Sequence, residues 1–253
     1  MDFERAKSVF EEYLNGYDRE NDKVKLKIVH TYGVIRCSEE IGRRMGLQAE
    51  DMELAKLIAL LHDIGRFEQL KQFNSFEADT MDHATYGVKI LFEEGMIRQF
   101  LQEDTWDNVI RTAIAKHSDY ELTGITDERT LLHARLIRDA DKLDNCRVKL
   151  EDAMETLLDL SADEVGKCAI SPKVREDAFA GKCICSKDRR TPMDYWVSYV
   201  AYFYDLNFRE TLDIVAERQY VKRIIERVPY TDRQTKKTME ELERQLTEYV
   251  RRK

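Results

Sequence analysis

Apolar residues recur at three- and four-residue steps over most of this chain, as in Leu26, Ile28, Val34, Ile35 and Ile41 and again in Leu54, Leu57, Ile58 and Leu61. Spacing of that kind gathers the apolar side chains on one side only if the backbone winds into a helix. Breakpoints are few, because 253 residues hold only 10 Gly and 3 Pro. The pattern predicts an all-α protein with little or no sheet, long enough to bury a sizeable core. Helices are expected near 2–14, 22–45, 50–63, 83–94, 105–117, 127–144, 146–159, 191–204, 208–218 and 233–252. No repeat, low-complexity tract or Pro/Gly/Ser-rich linker interrupts them. The chain therefore reads as a single globular helical bundle, in which residues 1–150 carry the chemistry and 151–253 form a helical extension packed on that core.

Charge and composition exclude several classes of function. A formal net charge of -8 disfavours a general affinity for nucleic acid or an anionic membrane. The segment MDFERAKSVFEEYL lacks the apolar core of a signal peptide, and no window approaches the roughly 18 consecutive apolar residues of a membrane span. A soluble cytoplasmic protein is expected, with a homo-oligomer left open. Cys37, Cys146, Cys168, Cys183 and Cys185 are odd in number and irregularly spaced, which predicts free thiols. Cys183 and Cys185 form the one close pair, and no second pair with zinc-type spacing accompanies them. The aromatic stretch YWVSYVAYFYDLNF, 195–208, reads as core, and the mildly basic segment 222–253 as a solvated helix.

The polar residues that interrupt the apolar faces are more informative. In LLHDIGRFEQL, 60–70, His62 and Asp63 stand at the end of an apolar run. Helical steps place His30 with Leu26 and Val34, His62 with Ile58, His83 with Gly87, Ile90 and Leu91, and His117 with Ile110, Ala113 and Ile114. A single such histidine is ordinarily a core residue bonded to backbone. Four imidazoles facing one core together with Asp63 and Asp141 are a different matter, since each buried unsatisfied polar group costs roughly 1–3 kcal/mol and an unpaired carboxylate more. A shared divalent cation satisfies them all. Imidazole nitrogen mixed with carboxylate oxygen suits Mn, Fe, Co, Ni or Zn, and is too nitrogen-rich for Ca or structural Mg. The fifth histidine, His133, lies about 80° around an ideal helix from Asp141 and is expected to be structural or on the surface.

The order His30, His62-Asp63, His83, His117, Asp141 resembles the H…HD…H…H…D pattern of the HD-domain superfamily of metal-dependent phosphohydrolases. The resemblance covers about residues 20–150, and LLHDIGR and RDADKLD are its most specific parts. It implies that His30, His62, Asp63 and Asp141 hold one divalent transition metal, and that Asp63 bridges to a second held by His83 and His117. Members with a consecutive His-His pair have a further ligand. This chain has His117-Ser118, which leaves the second position more open and the number of ions, one or two, undecided.

Metal binding lowers the pKa of water from about 15.7 toward 7. Hydrolysis of a phosphomonoester or phosphodiester by a metal-bound hydroxide is therefore the expected reaction, with a small phosphorylated molecule, a nucleotide foremost, as substrate. Arg66, one turn beyond Asp63, and Lys142, next to Asp141, are the cations expected to balance phosphoryl charge. An ordinary salt bridge, Arg66 with Glu68 or Lys142 with Asp139, is the alternative for each. The loop 73–82 must pass the mouth of the site, where Phe76, Glu77, Asp79 and Asp82 either line it or, as Thr80 or Asp82 would, cap the next helix. Lys116 and Lys182 stay open in the same way. Two rival readings remain: a di-iron oxygenase, since the superfamily includes oxygenases with this ligand order, and a non-catalytic module braced by its metal.

Overall fold

The structure is a computed structural model that describes residues 1–77 and 79–253. Among the described residues there is no strand, and the protein is all-α. The chain divides into two compact units, Met1–Asp144 and Asn145–Lys253. No helix among the described residues is long and apolar enough to cross a membrane.

The first unit contains α1 (Phe3–Leu14), α2 (Asp22–Met45), α3 (Ala49–Leu61), α4 (Ile64–Phe73), α5 (His83–Val88, continued by a π-helical turn Lys89–Glu93), α6 (Ile97–Phe100) and α7 (Asp107–Lys116). It also contains most of α8 (Glu128–Glu151). Local chemistry sets the ends of these helices. The Asn21 side chain accepts from the Lys23 and Val24 amides to start α2, and Gly46 at φ 71° ends it. Asp82 accepts from the Ala84 and Thr85 amides and so begins α5 at His83. That settles its role as a cap.

Packing then brings α2 along α3, α1 against α3, α4 against α5 and α5 against α7. Phe10, Leu14, Val34, Ile41, Leu54, Leu57, Ile58, Leu61, Ile64 and Phe67 are buried between them. Each such side chain contributes about 1.5–3 kcal/mol on burial. The α4–α5 contact is backbone to backbone: a Cβ on Gly65 would lie 2.3 Å from the His83 carbonyl oxygen and 2.6 Å from the Gly87 nitrogen. Only glycine permits that approach.

Two expectations about element boundaries are corrected. Residues 64–73 are helix, although no helix was expected there, so LLHDIGRFEQL spans the end of α3, a kink at Asp63 (φ -105°, ψ 18°) and the start of α4. The expected break near residue 145 is absent, and α8 runs unbroken from Glu128 to Glu151. No Gly or Pro stands there to stop it.

The second unit holds the end of α8, then α9 (Met154–Leu158), α10 (Ala162–Gly166), α11 (Pro172–Phe179), α12 (Pro192–Ala201), α13 (Arg209–Glu217), α14 (Tyr220–Glu226) and α15 (Arg233–Arg252). Trp196 and Phe203, from the aromatic stretch, are core residues. In α15, Met239, Leu242, Leu246 and Val250 are buried, which leaves the basic residues Lys236, Lys237 and Arg244 on its exposed face. All five cysteines are free thiols, with Cys37 and Cys146 buried.

Candidate metal centre

Helix ends deliver most of the polar residues to one place in the first unit. His62 is the cap residue closing α3, Asp63 sits in the kink before α4, His83 is the first residue of α5, and His117 closes α7. His30 and Asp141 come instead from the middles of α2 and α8. The four histidines and Asp63 are buried, and the Asp141 side chain is the most open at 21% exposure.

Two groups form, each with ligand atoms within 4.8 Å of one another: His30, His62 and Asp141, and Asp63, His83 and His117. In the first, Asp141 Oδ1 is 3.0 Å from His30 Nε2 and 4.0 Å from His62 Nε2. In the second, Asp63 Oδ1 is 3.2 Å from His83 Nε2 and 3.6 Å from His117 Nε2. The other Asp63 oxygen, Oδ2, lies 3.6 Å from His62 Nε2. One carboxylate thus faces both groups.

The hydrogen bonds around the rings assign their tautomers. His62 Nδ1 donates to the Ala59 carbonyl and His117 Nδ1 to the Ile114 carbonyl, each at 2.7 Å, so both Nε2 atoms carry lone pairs. Arg66 Nη2, which can only donate, is 3.0 Å from His83 Nε2 and makes that atom an acceptor too. His83 Nε2 and His117 Nε2 then bring two lone pairs within 3.1 Å of each other. His62 Nε2 is buried with no hydrogen-bond partner. Converging lone pairs, an orphaned buried nitrogen and a shared carboxylate fit a divalent cation, which accepts from all of them.

Electrostatics favour the ligand forms of His62, His83, Asp63 and Asp141, and oppose that of His30. Burial is the main force lowering His62 to about 4, against the opposing pull of Asp63 and Asp141. Burial and then Arg66 lower His83 to about 3. Burial pushes the Asp63 carboxyl up, but Lys27 and then His62 outweigh it and hold that carboxyl well below its ordinary value. Asp141 is held low in the same way, chiefly by His30. His30 itself is raised, since its bonds to Asp141 and Asp144 overcome burial and the nearby Lys27.

Arg66 turns toward the centre rather than pairing with Glu68. Its Nε is 3.8 Å from Asp63 Oδ1, while Glu68 accepts from Tyr17 and Gln72. Arg66 Nη1 also donates to the Phe76 carbonyl, and Gln69 donates to the Glu77 carbonyl and to Thr80 Oγ1, which ties the loop before α5 onto α4. In that loop Phe76 is half-buried, with the Lys23 and Lys27 ammonium groups 5.9 and 5.7 Å from its ring centroid. Glu77 and Asp79 are exposed, and Lys142 is half-buried. Lys116 pairs with Asp119 at 3.4 Å. Lys182 belongs to the second unit, where it is exposed. His133 is buried and lies 3.0 Å from Asp51, which Arg129 also contacts, so it is part of a structural polar cluster around the Arg129–Asp51 ion pair.

Three residues that sequence reasoning did not select also serve the centre. Lys27 Nζ is 2.7 Å from Asp63 Oδ2. Asp144 Oδ2 is 2.8 Å from His30 Nδ1. Arg138, buried in α8, donates to the carbonyls of Lys116, His117 and Asp119, where its charge suits the end of α7 that presents His117. A signal existed for each: Lys27 is one turn before His30, and Arg138 and Asp144 are one turn either side of Asp141.

The all-helical first unit thus brings together two adjoining His/Asp groups, each of which could hold a metal ion. Comparison adds one finding: residues 28–146, a segment that includes all six His and Asp residues of the two groups, match the family model of the HD domain. HD domains bind divalent metals and are mostly metal-dependent hydrolases. Neither the curated proteins nor the solved structures contain a match to the chain.

Proposed function

We propose that this protein hydrolyses a phosphomonoester or phosphodiester in a small molecule, a nucleotide foremost, using one or two divalent transition-metal ions. The observation that carries this reading is the Asp63 carboxylate, with Oδ1 toward His83 and His117 and Oδ2 toward His62. His30, His62, Asp63 and Asp141 would hold one ion, and Asp63, His83 and His117 the other. When bound, such ions supply Lewis acidity that polarises phosphoryl oxygens and acidifies water. The chain supplies the rest. The depressed His62 and His83 stay neutral at pH 7 and keep their lone pairs available. Arg66, beside Asp63 and His83, is a fixed positive charge for a phosphoryl oxygen, and needs no reorganisation as charge develops. Lys142, adjacent to Asp141 and half-buried, is assigned the same task from the other group.

A second reading, oxidation of a substrate at a di-iron centre, draws on the same four histidines and two aspartates and on Ser118 standing where a second consecutive histidine would add a ligand. One experiment separates the two. Protein is analysed for metal as purified, then loaded with Mn, Fe, Co or Ni and screened against nucleotides and other phosphate esters with oxygen uptake monitored. Release of phosphate or nucleoside without oxygen consumption is the expected result. Full metal occupancy with no ester cleavage, or turnover that requires oxygen, rejects the hydrolase reading.

A further inference from the structure

We propose that Asp144 is a positioning residue for His30, and that Gly33 is glycine in order to admit the Asp144 carboxylate. The inference rests on the metal-centre reading above and adds a determinant of metal affinity to it. His62 and His117 are oriented by backbone carbonyls, but His30 Nδ1 meets a carboxylate, Asp144 Oδ2, at 2.8 Å. Both partners are almost fully buried, at 1% and 3% exposure. An Nδ1–H held by a carboxylate leaves Nε2 as the lone-pair nitrogen and strengthens it as a donor to a metal. That Nε2 faces Asp141 Oδ1 at 3.0 Å. Asp141 and Asp144 are one turn apart on α8, so a single helix grips both nitrogens of one imidazole.

Gly33 supplies an independent observation. It lies one turn after His30 in the interior of α2, where glycine costs roughly 0.5–1 kcal/mol relative to alanine. A Cβ built there would lie 2.0 Å from Asp144 Oδ1, 2.3 Å from its Cγ and 2.5 Å from Oδ2. Any side chain at 33 would evict the carboxylate from its place against His30. The glycine that weakens the helix is thereby explained by the residue it makes room for.

The test measures metal binding by the full chain, with Co²⁺ as the probe, by calorimetry and by the visible absorption of the bound ion. Asp144→Ala is expected to weaken binding of the first Co²⁺ by about 10- to 100-fold and to change its spectrum. Asp144→Asn keeps the shape and an acceptor for Nδ1–H but loses the charge, so a smaller loss is expected, and this variant decides the matter if the alanine variant does not fold. Gly33→Ala, which alters neither ligand nor carboxylate, should reproduce the Asp144→Ala loss, and the double variant should be no worse than either single one. Wild-type affinity and spectrum in the Asp144 variants overturn the proposal, as does a purely additive double variant. If those variants bind Co²⁺ like wild type while wild type cleaves phosphate esters, the inference fails and the hydrolase reading stands. If binding depends on Asp144 but no ester is cleaved, the inference stands and the hydrolase reading fails. Absence of Co²⁺ binding by wild type overturns both.

Discussion

Asp63 in the first unit and Asp194 in the second are carboxylates taken out of water to the same degree, at 3% and 0% exposure, yet they are stabilised in opposite ways. Asp194 receives the Ser171 amide and hydroxyl and the Arg190 and Thr191 amides, at 2.6–3.0 Å, and closes the capping box that starts α12. Its donors are complete. Asp63 faces the Lys27 ammonium group, the Arg66 guanidinium at 3.8 Å, and three imidazole nitrogens that are themselves lone-pair atoms. Burial of a charge therefore does not mark a functional site by itself. What distinguishes the first unit is a set of buried acceptors that cannot satisfy one another.

Substitution of the two aspartates should break the resemblance between them most strongly. Asp63→Ala is expected to reduce phosphate-ester turnover by at least about 1,000-fold and to abolish metal retention, since it removes the ligand common to both groups. A variant that keeps its metal and more than a tenth of its activity would show that Asp63 does not bridge. Lys27→Met comes next. Without its ammonium partner, Asp63 is a buried charge short of compensation, so metal-free protein should lose about 3 kcal/mol of stability, most of it regained with saturating Mn²⁺. Thermal melts with and without metal check this, and an equal loss in both conditions would make Lys27 purely structural.

Asp194→Ala should cost about 2–4 kcal/mol in urea denaturation by orphaning its donors, and no metal should restore it. Metal-dependent recovery there would erase the contrast. The smallest effect is a slope with pH. His62, lowered to about 4, refuses a proton that the unfolded chain accepts near 6.5. Stability of metal-free protein should therefore fall as pH drops from 6.5 toward 4; His83, lowered to about 3, adds a slope of the same sign, so His62→Gln should make the slope shallower without abolishing it. His30, raised, contributes in the opposite sense, with stability lost as pH rises through its folded value. The Asp63 and Asp141 contributions disappear only at lower pH, below the ordinary carboxylate range. Urea midpoints at pH 7, 6 and 5 measure the slope, and an unchanged slope in His62→Gln would remove His62 as its source.

Much of the first unit was legible in the chain itself. Apolar spacing is a local, repeated signal, so α1, α2, α3 and α7 lie within a residue or two of expectation, and the imidazoles stood out because each interrupts an apolar stripe. The α4 helix was not legible. The kink at Asp63 carries no proline, and Gly65 suggests a turn until α5 is seen packed against it. Lys27 and Asp144 were missed for a different reason. On a helix surface a lysine or an aspartate is unremarkable, and their partners stand 36 and 114 residues away.

By itself, then, the sequence determined the helical class and the six His and Asp residues, because periodicity and burial cost depend on residue type and near neighbours alone. Only the tertiary structure decided which of those six stand together, which carboxylate is shared, and which outer residues hold each ring. These depend on distances between helix ends brought together by packing, and no local pattern along the chain encodes a distance of that kind.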